Sequence, residues 1–290
     1  PRDYLASYML YFSVFLGAVG MSFGGASYEV KLPAFKGFVT ANGEYLWPLL
    51  FITVACGAIS GFHSLVASGT TSKQLTRETD AVPVGYGAML LEGVVGVIAL
   101  GTIMMSGEML KGGPTVVYGH GLGQFATLIG ISPRLGTAIG LLALNSFILT
   151  SLDTATRLAR YQLQEFTGMS LNKYLATGIS VGVALALIFY KAGNVPAWTL
   201  IWPIFGASNQ LVAAIGLMAL GVWVIRALKK SAAFIMYPMG FMLITTIVAL
   251  VQMLLNPKTN MVVFTFDIVL LVLTVLLLRE AYNALSKKEE

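Results

Sequence analysis

Hydroxyl and imidazole side chains recur along one strongly apolar stretch of the sequence, residues 47–71. They are Ser60, His63, Ser64, Ser68, Thr70 and Thr71. Hydroxyl and carbonyl oxygens coordinate hard monovalent cations, whereas hydroxyl and amide donors bind carboxylates. The pattern therefore predicts part of a substrate or ion path. The alternative is a helix-packing seam in which the serines bond back to their own helix and His63 is structural.

The element that must position these residues is predicted to be one membrane-spanning helix. Residues three or four apart share a helix face, so the small polar residues fall on a single face. That face comprises Thr53, Gly57, Ser60, Gly61, Ser64 and Ser68, with His63 at its border. Gly57 and Gly61 form a GxxxG pair, which predicts close approach of another backbone.

A second polar interruption lies in the segment TLIWPIFGASNQLVAAIG. Pro203 removes a backbone donor and Gly206 follows three residues later, so we predict a broken helix there. Asn209 and Gln210 come next and are predicted to line the same path, since a broken helix in lipid is tolerated where it borders a cavity.

Two acidic residues are predicted candidates for charge coupling. Glu92 lies near the middle of an apolar span. Its functional interpretation is proton coupling, and the alternative is a structural role as a buried carboxyl group bonded to a neighbouring helix. Asp153 belongs to a stripe that runs towards the cytoplasmic surface, and it can pair with Arg157 one turn away. If the stripe instead faces a cavity, Asn145, Thr150 and Asp153 are predicted to line an inner gate.

The composition defines the class of protein. At 57% hydrophobic, 11% charged and a mean hydropathy of +0.79, the chain is too apolar for a soluble domain. We predict one all-α transmembrane domain over residues 1–290, with about eight helices. The apolar runs are 4–23, 47–68, 85–106, 135–151, 174–190, 199–225, 233–254 and 262–278. Lysine and arginine are more frequent on the side that holds both termini, which predicts cytoplasmic termini.

Several classes of function are disfavoured. The basic residues form no nucleic-acid recognition face, and Cys56 is the only cysteine, so no disulfide or CxxC metal site is expected. The sequence has no GxSxG, HExxH or Walker motif, and we expect no enzyme activity, catalytic residue, metal or organic cofactor. His120 is interpreted as a residue of an outer loop over 107–134.

Long stretches of the sequence resemble the carbon starvation protein A family. They are PRDYL at residue 1, LLFITVACGAISGFHSLVASGTTSKQL from residue 49, ETDAVPVGYGAMLLEG from residue 78, SLDTATR from residue 151 and WPIFGASNQLVAA from residue 202. Ser72 stands where the family usually has proline. The resemblance implies a cytoplasmic-membrane secondary transporter of the amino-acid/polyamine/organocation superfamily, with a leucine-transporter-like inverted-repeat core.

The resemblance also implies the substrates. Members of the family are linked to uptake of small peptides under carbon starvation, and close relatives carry pyruvate with proton symport. The family has a large preceding region that this chain lacks, so we expect the chain to need that portion or a partner chain, besides membrane lipid. A nutrient sensor or scaffold is the alternative, and a membrane enzyme ranks last. Glu92 favours H⁺ coupling and the hydroxyls favour Na⁺, so both stay open.

Overall fold

A computed structural model of the chain describes residues 2–24, 28–33, 35–39, 43, 45–106, 113–192, 195–256 and 261–286. Its described elements are almost entirely helical. In chain order they are α1 Arg2–Phe23, α2 Phe51–Ala58, α3 Gly61–Gly69, α4 Ala88–Ser106, α5 Pro114–Ala126, α6 Pro133–Phe166, α7 Lys173–Phe189, β1 Lys191–Ala192, β2 Val195–Pro196, α8 Ala197–Arg226, α9 Ala233–Leu255 and α10 Met261–Ser286. The two short strands pair in antiparallel fashion.

Six described helical stretches are long and apolar enough to cross a membrane. They are Asp3–Phe23, Leu46–Lys73, Glu78–Ser106, Pro133–Phe166, Ile204–Arg226 and Ala233–Leu255. Each of the eight predicted spans is mostly helical, although the span 47–68 is interrupted at Ile59 and Ser60 and Lys173–Phe189 has only 17 residues. The chain is thus a multi-span, helical membrane protein, as the composition predicted, and the exact number of spans stays a prediction.

The chain divides into two compact units, one comprising Pro1–Lys36 and Gln74–Gln162 and the other Gly37–Lys73 and Leu163–Glu290. In the first unit α1, α4 and α5 pack together. Their core consists of Leu16, Ile98, Tyr118, Leu122, Phe125 and Ala126. The prediction of a single domain over 1–290 stays a prediction.

In the second unit α8 is the central helix. It packs against α2, α3, α7, α9 and α10. Ala207 and Leu211 of α8 form an apolar cluster with Leu250 and Met253 of α9. A second cluster joins Val224 near the end of α8 to the start of α9. The position of α8, and of the polar side chains on it, is therefore set by packing against five helices.

The predicted outer loop over 107–134 is wrong in its central part. Residues Pro114–Ala126 form α5, which is largely buried, and His120 therefore lies on a helix. Proline at the first helical position following Gly113 is a recognised start signal. The glycines of α5 serve close packing: a Cβ at Gly123 would meet Thr137 of α6, and one at Gly121 would meet Thr102 of α4.

The predicted break near Pro203 is also wrong. Helix α8 runs without interruption from Ala197 to Arg226. A proline costs a helix one backbone hydrogen bond, and the packing of α8 against five other helices outweighs that loss. The break lies in the other polar segment, between α2 and α3.

Candidate functional site

The segment predicted as one continuous helix over 47–71 is broken near its midpoint. A π-helical turn, Leu46–Leu50, leads into α2, which ends at Ala58. Ile59 and Ser60 have extended backbone, with φ/ψ of −129°/96° and −104°/119°, and α3 begins at Gly61. The predicted small polar face is therefore divided by the break: Thr53 and Gly57 lie on α2, whereas Gly61, Ser64 and Ser68 lie on α3.

Two buried side chains of α8 hold the break. The N–H of Phe62 donates to Asn209 Oδ1 at 2.8 Å, and Asn209 Nδ2 donates to Cys56 Sγ at 3.1 Å. Gln210 Nε2 donates to the carbonyl of Ile59 at 3.2 Å. Asn209 is 6% exposed and Gln210 is fully buried. The two amides thus contact both sides of the break from one continuous helix.

Gly61 permits this arrangement. A Cβ at Gly61 would meet the backbone oxygen of Asn209, and it would lie 2.7 Å from Val212 Cβ and 2.8 Å from the backbone nitrogen of Ala213. The start of α3 therefore lies directly on the backbone of α8. Among the described residues, a Cβ at Gly57 would meet nothing within 4 Å, so within this part of the chain the Gly61 half of the predicted GxxxG pair makes the close contact.

The hydroxyls of α3 mostly bond to their own helix. Ser64 donates to the carbonyl of Gly61 at 2.8 Å, Ser68 to that of Ser64 at 3.0 Å, and Thr70 to that of Val66 at 2.9 Å. These bonds agree with the alternative interpretation of the sequence, in which the serines bond back to their own helix. Ser60 caps α3 instead, since its hydroxyl accepts from the N–H of His63 at 3.3 Å.

The remaining predicted residues of this unit lie at the surface of α3 and just after it. The His63 side chain is exposed, and its ring meets that of Phe62 edge to face at a centroid distance of 5.5 Å. Thr71 is half-buried and begins a 3₁₀ turn. These residues are accessible, but the described structure gives their side chains no common partner.

Three predicted residues belong to the other unit. Glu92 is exposed on α4, and Asn145 is exposed on α6. Asp153 accepts from Arg157 Nη2 at 2.7 Å, as the one-turn spacing predicted. The structure thus brings Asn209 and Gln210 to the break near Ser60, whereas Glu92, Asn145 and Asp153 lie elsewhere in the chain.

Sequence reasoning missed a cavity of about 420 Å³ in the first unit. Its charged and polar lining comprises Tyr28, Glu29, Lys31, Thr102, Ser106, His120 and Gln124. Two of these lining residues are joined by a hydrogen bond, in which the hydroxyl of Tyr28 donates to the carbonyl of Gln124 at 2.7 Å. Helix α5 supplies part of this lining, and Pro114 at its start was the signal in the sequence that a helix begins there.

Asp267 on α10 was not predicted as a functional residue. Its side chain is fully buried, and neither carboxylate oxygen has a hydrogen-bond partner within the described residues. Within the described part of the chain, no three His, Cys, Asp or Glu residues lie close enough together to hold a metal ion.

Long apolar helices, one of them broken near its midpoint and held by amides of a neighbouring helix, define a polytopic helical membrane protein. The family model described as "Carbon starvation protein CstA" matches residues 1–109 and 101–249. The chain therefore belongs to the carbon starvation protein CstA family, as the resemblance predicted.

Characterised relatives carry transporter names. The chain is 31% identical to "Peptide transporter CstA" of Bacillus subtilis, over 90% of this chain and 51% of that protein. It is 29% identical to "Peptide transporter CstA" of Escherichia coli, over 90% and 47%, and 29% identical to "Pyruvate/proton symporter BtsT" of Escherichia coli, over 80% and 44%. The chain spans about half the length of these relatives. No solved structure matches it.

Proposed function

We propose that the protein is a secondary active transporter, or a segment of one, that takes up small peptides, pyruvate or both across the cytoplasmic (inner) membrane in the carbon starvation response. Proton symport is proposed by analogy with the relative named a pyruvate/proton symporter. One observation carries the proposal: a spanning segment is interrupted near its midpoint, and buried amides of α8 hold the interruption. Discontinuous helices of this kind form the midplane sites of secondary transporters.

The proposed path follows the predicted residues, with the break at its centre. Its members in the second unit are Ser60, His63, Ser64, Ser68, Thr70, Thr71, Asn209 and Gln210, whereas Asn145 of the first unit stays a predicted path residue without support from the break. The exposed His63 and the capping Ser60 lie within one turn of the break, so they are the members that its geometry supports most directly.

Glu92 supports the proposal that further helices complete the transporter. Its side chain is exposed on α4, and a Cβ added at nearby Gly93 or Gly96 would meet no atom of the described residues within 4 Å. A carboxyl group at membrane depth usually faces protein or a water-filled path. We therefore propose that this face of α4 packs against helices from a longer form of the protein or from a partner chain, and that Glu92 couples proton movement.

Asp153 is the second proposed coupling residue, and its ion pair with Arg157 is its only support. The side chains of Asp153 and Arg157 are 36% and 52% exposed, so the pair itself contributes little to stability. Both termini are proposed to be cytoplasmic, on the distribution of lysine and arginine.

Uptake of labelled dipeptide and pyruvate into proteoliposomes tests the function. The natural gene product should accumulate one of them when an inward proton gradient is imposed. His63→Ala, Ser64→Ala and Glu92→Gln should each reduce uptake, and wild-type uptake by all three variants would refute the site. Ligand binding without counterflow of labelled substrate would show the alternative, a membrane sensor or scaffold.

A further inference from the structure

The break between α2 and α3 has two helix ends, and at the amino-terminal end of α3 three of the first four N–H groups already donate to protein groups. Its first four N–H groups belong to Gly61, Phe62, His63 and Ser64. The last three donate to Asn209 Oδ1, Ser60 Oγ and the Ser60 carbonyl. A carboxylate would need these donors, so the start of α3 is not available to an anion.

The carboxyl end of α2 differs. Of its last four carbonyls, that of Ala55 accepts from the N–H of Ile59 at 2.7 Å. Within the described residues, the carbonyls of Cys56, Gly57 and Ala58 accept no hydrogen bond. Gly57 and Ala58 are exposed and lie close to the middle of the span Leu46–Lys73. Lipid offers no donors at that depth, so these oxygens need a ligand or further protein.

A second, independent observation points to a ligand. Gln210 is fully buried, and its Oε1 has no hydrogen-bond partner within the described chain. The carbonyl of Ile59 can only accept, so the amide nitrogen of Gln210 must face it, and the oxygen is the free atom. Both atoms sit on one amide carbon, and the free oxygen therefore lies beside the break.

We propose that the break binds a monovalent cationic group between the carbonyl end of α2 and Gln210 Oε1. Both sets of atoms are acceptors, and the carboxyl end of a helix attracts positive charge. Divalent cations prefer carboxylate ligands, and the proposed ligand set has none. Neutral carbonyl oxygens instead replace the hydration shell of monovalent ions.

Two sources supply such a group: a free Na⁺ ion, or the α-ammonium group of a peptide substrate. The second source rests on the proposed function, whereas the first does not. Pyruvate carries no cationic group, so the site distinguishes the two proposed substrates. A peptide would place its ammonium group at the break, and pyruvate would have to bind elsewhere or together with Na⁺.

Thermal unfolding of the purified gene product in detergent, followed by tryptophan fluorescence, tests the proposal without transport. The buffer cation is N-methylglucamine, and the additions are NaCl, a dipeptide, or the same dipeptide with an acetylated amino group. Na⁺ alone should raise the Tm, or the free dipeptide should raise it while the acetylated one does not. A shift on the order of 5 °C is expected at saturating ligand. Equal Tm in all four conditions would overturn the proposal.

Two variants make the assignment specific. Gln210→Lys places a tethered ammonium group at the break, where it can donate to the Ile59 carbonyl, so the variant should fold and lose the response to added ligand. Gln210→Met removes the oxygen and should also lose the response. Gln164→Met is the matched control, because Gln164 Nε2 likewise donates to a backbone carbonyl, that of Leu171 at 2.9 Å. A full response in Gln210→Lys, or its loss in Gln164→Met, would refute the site.

The outcomes separate this inference from the proposed function. A Tm response to Na⁺ in a protein that transports nothing would support the cation site and refute the transporter. Uptake of peptide or pyruvate with no Tm response to any of the additions would support the transporter and refute the cation site.

Discussion

Asn209 Oδ1 accepts the backbone N–H of Phe62 at 2.8 Å, so a side chain of the continuous helix α8 caps the start of the broken one. The two residues are 147 positions apart in the chain. The side chain of Asn209 is buried and Phe62 is half-buried, and within the described residues no side chain nearby in sequence accepts the N–H of Phe62. It therefore couples the conformation of the break to the position of α8.

Asn209→Ala should destabilise the protein by about 1–3 kcal/mol, because it leaves the half-buried N–H of Phe62 without its acceptor. Asn172→Ala is the matched control: Asn172 caps α7 by accepting from Leu175 at 2.8 Å, at an exposed site. Removing that cap should cost about 1 kcal/mol. Denaturant unfolding in detergent measures both, and a smaller loss for Asn209→Ala than for Asn172→Ala would contradict the role assigned to this cap.

Gly61→Ala and Gly57→Ala should behave in opposite ways. The added methyl group at Gly61 meets the backbone of α8, whereas at Gly57 it meets open space. Gly61→Ala should cost about 1–3 kcal/mol through overpacking. Gly57→Ala should be neutral or stabilising by up to about 1 kcal/mol. Their Tm values in detergent give the comparison, and equal values would mean that α3 does not approach α8 at Gly61.

Asp267→Leu should stabilise the protein by roughly 1 kcal/mol or more. The buried carboxyl group has no described hydrogen-bond partner, and replacing unpaired buried polar groups with apolar ones of similar size is neutral or favourable. Asp153→Leu, at the exposed ion pair with Arg157, should change stability by no more than about 0.5 kcal/mol. A loss of stability in Asp267→Leu would show that the carboxyl group has a partner needed for the fold.

The helical spans, and the presence of polar residues in two of them, follow from local features of the sequence. Apolar runs of spanning length predict helices, and the polar residues at 60–71 and 209–210 pointed to one path. The location of the break did not follow. Pro203 is a local signal for a break, but packing keeps α8 continuous. The break at Ile59 and Ser60 has no proline and depends on Asn209 and Gln210, which are distant in sequence.

Helix α5 was missed for a related reason. Gly119, Gly121 and Gly123 look like loop residues when read locally. In the structure they allow α5 to lie close to α4 and α6, where a Cβ would clash. Such contacts between distant segments cannot be read from single residues, although Pro114 after Gly113 marked where the helix begins.

The central claim is that the break between α2 and α3 is the transport site. It is tested most directly by uptake of labelled dipeptide and of labelled pyruvate in proteoliposomes, with Gln210→Met and Gln164→Met compared at equal amounts of folded protein. Gln210→Met should lose uptake of the transported substrate by about tenfold or more, which corresponds to about 1.4 kcal/mol of lost binding, while Gln164→Met keeps it. Equal uptake by the two variants would show that the break is not the transport site.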